Sequence, residues 1–245
     1  MDAPVLEAVL ENLSLAKSID YQAEQILTCI AERIPEKVLD FFGKRLTSNE
    51  EENLGSGYDA VPFEFHSLRQ PLSRIPEQAV DIISGWYDGE YGLFIHRGAK
   101  LLSNIFPDFP DQFKNKLLGL VRSANQEKQM IVMAVLRNYE GSPVTHDVCK
   151  ELVKALDGDS RELNEINVIL ESTGVVHGEY GFMHAYKLKQ EEIRPWLSDD
   201  DERVRAFAQR YITRLDAQID WAKKQADEEI ELRKFKYGTD EDASG

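Results

Sequence analysis

Ile34-Pro35-Glu36-Lys37-Val38-Leu39-Asp40 returns forty-one residues later as Ile75-Pro76-Glu77-Gln78-Ala79-Val80-Asp81. Phe109-Pro110-Asp111-Gln112-Phe113 follows thirty-four residues on, and Ser142-Pro143-Val144 thirty-three after that. Each proline opens an amphipathic stretch. Proline suits a first helical turn, where its missing N–H has no intrahelical partner to lose. Glu36, Glu77 and Asp111 then lie at the positive end of the helix dipole. The interval leaves room for two helices and two turns, the pitch of helix-pair solenoids.

Outward from these openings, helical periodicity dominates. Val5, Leu6, Val9, Leu10 and Leu13 form one apolar stripe, and Ile19, Ala23, Ile26, Leu27, Ile30 and Ile34 another. No sustained period-two run bounded by turn signals occurs. The fold class expected is all-α, a right-handed α-solenoid of helix pairs. Helices are expected at 3–16, 19–33, 35–46, 64–72, 76–87, 91–105, 110–122, 125–139, 143–156, 160–172, 178–193 and 201–236. The last runs from Asp201 to Tyr237 without Gly or Pro and reads as a long capping helix. Its distal half offers the i, i+4 pairs Lys223–Asp227, Lys224–Glu228 and Glu229–Arg233, and leaves Trp221, Ile230, Leu232 and Phe235 to dock back or to meet another chain.

The organisation expected is N-terminal solenoid helices over 1–46, an acidic loop over 47–57, the main array over 58–237 and a disordered polar tail over 238–245. The first helix already carries a full apolar stripe, which suggests a cut edge with more chain before it.

The 245 residues carry 44 acidic and 29 basic side chains, a formal net charge of −15. That balance opposes general binding to nucleic acid or to anionic membranes, which requires a positive field. A partner with a basic patch suits it better. No apolar run approaches the ~20 residues of a membrane span, and the N-terminus lacks a signal peptide's basic and apolar regions. A cytoplasmic location is expected. Cys29 and Cys149 lie in apolar helical patterns and read as small core residues.

Chemical motifs are weak. His177 and His184 are close in sequence, but HExxH and zinc-ligand spacings are absent. GxSxG, GxGxxG and the P-loop pattern are absent as well. No cofactor or metal is therefore expected, and no enzyme activity. Two near-identical hexapeptides stand out: Gly89-Glu90-Tyr91-Gly92-Leu93-Phe94 and Gly178-Glu179-Tyr180-Gly181-Phe182-Met183. They read either as a repeated inter-helix corner or as aromatic anchors for a protein ligand. In the second reading Trp86, Tyr87, Tyr91, Phe94, His96, Arg97, Tyr180, Phe182 and His184 form the partner-binding set.

Leu197-Ser198-Asp199-Asp200-Asp201-Glu202-Arg203-Val204-Arg205-Ala206-Phe207-Ala208, with Ile212 beyond, resembles the HEAT-repeat signature. The expectation is that Asp199 or Asp200 caps a helix, that Arg205 bonds acids of the preceding turn, and that Val204, Phe207, Ala208, Tyr211, Ile212 and Leu215 are buried. More broadly, Tyr58-Asp59-Ala60-Val61-Pro62, Thr173-Gly174-Val175-Val176-His177-Gly178-Glu179-Tyr180-Gly181-Phe182, Trp196-Leu197-Ser198-Asp199 and Leu232-Arg233-Lys234-Phe235-Lys236-Tyr237-Gly238 resemble the C-terminal sensor solenoid of bacterial STAND (NACHT-like) NTPases. Some members of that family are anti-phage sensors. The resemblance implies a partner-sensing role, with an NTPase upstream in the same native chain. Two other roles stand as alternatives: an acidic immunity-type protein that covers a toxin, or a hydrolase or nucleic-acid-acting enzyme with its site in a groove.

Overall fold

The computed structural model describes residues 3–47, 58, 60–62, 64–87, 92–156 and 160–237. Every regular element among them is helical. The α-helices are α1 (Ala3–Ser14), α2 (Tyr21–Ala31), α3 (Pro35–Thr47), α4 (Arg69–Leu72), α5 (Pro76–Ser84), α6 (Gly92–Ile105), α7 (Asp111–Arg122), α8 (Gln126–Leu136), α9 (His146–Ala155), α10 (Arg161–Glu171), α11 (Gly181–Ile193) and α12 (Glu202–Tyr237). Short 3₁₀ turns occupy Arg137–Tyr139, Pro143–Thr145 and Arg194–Ser198. The prolines sit where their chemistry predicts. Pro35 and Pro76 open α3 and α5, Pro110 is the residue before α7, and Pro143 opens a 3₁₀ turn.

The chain forms two compact units, 1–138 and 139–245. Both flanks of the 47–57 stretch belong to the first unit, where α3 packs on α5. In that unit α1, α3, α5 and α7 pack in succession, as do α2, α4, α6 and α8. Neighbours in sequence join the two rows: α1 to α2, α5 to α6, α7 to α8. Leu27, Val38, Leu39, Phe42, Leu68, Leu72, Ala79, Val80, Leu101, Phe113, Leu117 and Val121 are buried between them. Surface ion pairs run from one helix to the next in its row. Lys37 reaches Glu7 at 3.8 Å, Arg74 reaches Glu32 at 2.5 Å and Lys116 reaches Asp81 at 2.7 Å.

Two buried side chains fasten the first unit. The Arg45 guanidinium donates to the carbonyls of Leu13 (3.3 Å) and Ser14 (3.1 Å) in the last turn of α1, of Ala16 (2.7 Å) just past its end, and of Ala60 (3.0 Å). It thus satisfies carbonyls that a helix C-terminus leaves without partners. The Tyr58 ring lies 4.7 Å from the guanidinium carbon, and its hydroxyl donates to the Arg45 carbonyl. On the other row, Glu24 Oε1 of α2 accepts from the backbone N–H groups of His66 (2.6 Å), Ser67 (2.7 Å) and Leu68 (3.2 Å). This explains the largest departure from the expected helices. Residues 64–72 were expected to be helical throughout, yet α4 is one turn long. The donors that would bond carbonyls of a preceding turn are taken by a carboxylate instead.

In the second unit α9 packs on α10 and α12, while α11 and the turn at 194–198 pack along α12. Val204, Phe207, Ala208, Tyr211 and Leu215 are buried as the signature predicts, and Ile212 is half-buried. The details of the cap differ. Asp201 caps α12, accepting from the N–H groups of Arg203 (2.8 Å) and Val204 (3.4 Å). Asp199 Oδ1 accepts from the Asp201 N–H, while its Oδ2 binds Lys150 at 3.0 Å. Arg205 donates to the backbone carbonyls of Asp199 and Asp200, not to their carboxylates. Gly141 has φ +74°, and a Cβ there would collide with the Ser172 carbonyl, so only glycine fits. Cys149 is buried, but Cys29 lies exposed on α2, a correction to its reading as a core residue.

Candidate protein-binding site

The second row of the first unit contains a one-turn helix, α4, between α2 with 11 residues and α6 with 14. The missing turns leave a groove of about 700 Å³. Thr28 lines it from α2, Ser67, Arg69 and Ser73 from around α4, and Phe106 and Asp108 from beyond α6. Its polar wall is ordered by short bonds. Gln25 Nε2 donates to Ser67 Oγ at 2.9 Å, Thr28 and Ser67 share a hydroxyl bond at 3.0 Å, and Arg69 Nε donates to the Asn104 carbonyl at 2.8 Å. His66, also on the wall, has its ring 6.2 Å from that of exposed Tyr21. Apolar floor, hydroxyl wall and an aromatic edge suit a peptide or a protein loop better than a single small anion.

The sequence-derived set is distributed differently. Trp86 is half-buried, packs with Leu46 and Ala60, and lies directly over Gly43, where any Cβ would strike the indole. It seals α3 against α5. Tyr87 is half-buried, and His96 and Arg97 are exposed on the first turns of α6. Tyr91 and the Phe94 side chain lie outside the described residues, as do Gly89 and Glu90.

The second hexapeptide makes the turn into α11. Gly178 has φ +80°, Gly181 begins α11, and the two residues between them reach α12. Tyr180 Oη donates to Asp227 Oδ1 at 2.6 Å, and Arg233 donates to Glu179 Oε1 at 2.6 Å. Glu179's own backbone N–H and then Arg233 hold its carboxyl below the usual range, while the bond to Asp227 raises the Tyr180 phenol. Asp227 and Arg233 thus serve the corner. Of the i, i+4 pairs expected in α12, Lys224–Glu228 is present at 3.7 Å. Phe182 is half-exposed and stacks on Tyr186 at 6.3 Å, and His184 is exposed.

A second polar cluster, not foreseen from sequence, lies where α9, α11 and the turn before α12 meet. Buried Lys189 donates to the Gly141 carbonyl and to Glu192 at 3.1 Å. His146 stands 3.7 Å from Glu192 and edge-on to Trp196, whose ring also lies under Lys150. Burial pushes the His146 pKa down, against the pull of Glu192. Cys149, one turn along α9, is pushed up to about 12 by burial despite its bond with Thr145, so it is a thiol and no nucleophile at neutral pH. Lys189 and Glu192 also border a cavity of about 400 Å³ with Gly141 and Ser172. Among the described residues no group of three or more metal-ligating side chains converges, and no helix is long and apolar enough to cross a membrane. Compared with known proteins, the chain matches no family model, no curated protein and no solved structure.

Proposed function

We propose that the chain is a protein-binding module of HEAT-like helix pairs, a right-handed solenoid without catalytic function, that holds a partner in the groove beside α4. The observation that carries this reading is the two-row order of α1–α8, interrupted by a one-turn helix so that about 700 Å³ opens between longer neighbours. Row-by-row stacking is how helical repeats build extended binding faces. The proline pitch and the signature around Val204-Arg205 support the same reading. With a net charge of −15, the partner's complementary surface is basic and its capture is faster at low salt. The resemblance of 58–237 to STAND sensors supports a cytoplasmic setting in bacterial signalling or phage defence, with an NTPase upstream in the native chain.

Gln70 and Ser73 are exposed on the groove wall, so Gln70→Trp and Ser73→Trp fill the groove while leaving the core intact. A photo-crosslinker at Asp108, exposed and lining the same groove, is expected to trap one protein from the native host, and the filled variants are expected to lose it. Trapping that is unchanged by both fillings overturns the groove as the binding site.

A further inference from the structure

The distal half of α12 has two faces. Ala222 and Ala226 are buried and Ile230 is half-buried on the inner face, where α11 approaches. The outer face carries Trp221, Gln225, Glu228, Leu232 and Phe235 at alternating four- and three-residue spacing. At about 100° per residue all five fall within about 40° of Trp221 on the helix. Three of the five are large apolar groups, 62 %, 67 % and 92 % exposed for Trp221, Leu232 and Phe235. The spacing is that of a short coiled-coil seam, and the apolar content exceeds what the polar outer face of a terminal cap needs.

We infer that this stripe binds a second copy of the same chain, antiparallel, about a two-fold axis between residues 226 and 227. Four of the five stripe residues pair with one another in that orientation, and Phe235 lies beyond them opposite Gln218 of the second copy. Trp221 meets Leu232 of the second copy, and the Gln225 amide meets the Glu228 carboxylate. Lys224 flanks the seam on the same side as Glu231, so each Lys224 faces the other copy's Glu231. Every contact occurs twice. A parallel pairing would set Glu228 against Glu228 inside the seam, two like charges with no counter-ion. The contact is about two heptads long and places the dimer at the weak end of the size range. This inference is independent of the groove, which lies on the other unit.

The test is the mass of the full chain in solution, by sedimentation equilibrium at about 0.15 M salt, where the Debye length of ~8 Å screens the repulsion of two acidic molecules. The mass is expected to rise from 28.0 kDa towards twice that with concentration. Leu232→Asp is expected to weaken association by about tenfold or more with helicity unchanged by circular dichroism. Lys224→Glu weakens it too, and adding Glu231→Lys restores it. Rescue of Lys224→Glu by Glu229→Lys instead identifies parallel pairing and overturns the antiparallel assignment. A constant monomer mass up to about 1 mM overturns the dimer altogether. Larger aggregates insensitive to Leu232 and Lys224 overturn it equally.

Discussion

The two compact units differ in how their helices are fastened. In the first, charged side chains sit inside and bind backbone: Arg45 on the carbonyls at the end of α1, Glu24 on the amides before α4. In the second, buried Lys189 binds the Gly141 carbonyl likewise, but the inner part of α12 is anchored by apolar burial and its outer part is tied by exposed polar contacts to Tyr180 and Glu179 in the corner before α11. A buried charge without its partners is costly, whereas an exposed pair contributes little. The first unit therefore tolerates change poorly at two points. The second grades from firm to loose along one 36-residue helix, about 54 Å long at ~1.5 Å per residue.

The largest expected effect is at Arg45. Arg45→Ala leaves the carbonyls of Ala16 and Ala60 and the Tyr58 ring facing a void, and is expected to cost the first unit about 3–5 kcal/mol. Urea unfolding followed by circular dichroism reads this, and Arg45→Lys recovers part of it because one ammonium cannot span the same fork. Glu24→Ala comes next, at about 2–3 kcal/mol, since three amides lose their acceptor at once. Hydrogen exchange at His66, Ser67 and Leu68 is expected to rise in that variant ahead of the rest of the unit. If either substitution proves neutral, the contrast between the units fails.

In the second unit, Ala226→Leu forces α11 away from α12, with an expected loss of about 1–3 kcal/mol by overpacking. Trp221→Ala, on the opposite face, is expected to leave monomer stability nearly unchanged. The two variants together, read by thermal melts at low concentration, separate the docked face from the open one.

Much of this was legible in the sequence. The prolines, the Val204–Leu215 stripe and the long unbroken helix from Asp201 found their places because local chemistry decides them. The short α4 was not legible, because the acceptor that delays its start is forty-two residues away on Glu24. Trp86 looked like an anchor because aromatic residues near a glycine-rich corner suit both a core and an interface. Only the close approach at Gly43 separates the two. The groove was missed for the same reason as α4, since it is the space that the missing turns leave. Asp227 and Arg233 looked like partners for residues on their own helix, when the corner at Glu179-Tyr180 holds both.

The smallest effect expected is a pH dependence confined to the second unit. His146 faces Glu192 and Lys189 from α11, Asp147 and Lys150 from its own helix, and the Trp196 ring. Burial is the largest influence and lowers its pKa in the folded state below the ordinary 6.5. The unfolded chain therefore binds more protons in the window just below that value. Stability is fully retained above it and declines as pH falls through the window towards the folded pKa. Glu192 opposes the effect, so the slope stays below one proton per molecule. His146→Asn is expected to flatten the slope between pH 7 and 5 in the unit that contains α9, with no change in hydrogen exchange around Arg45 or Glu24. A slope that survives the substitution assigns the acid sensitivity to carboxylates instead, and a stability that rises on acidification shows that the pull of Glu192 exceeds the cost of burying the imidazolium.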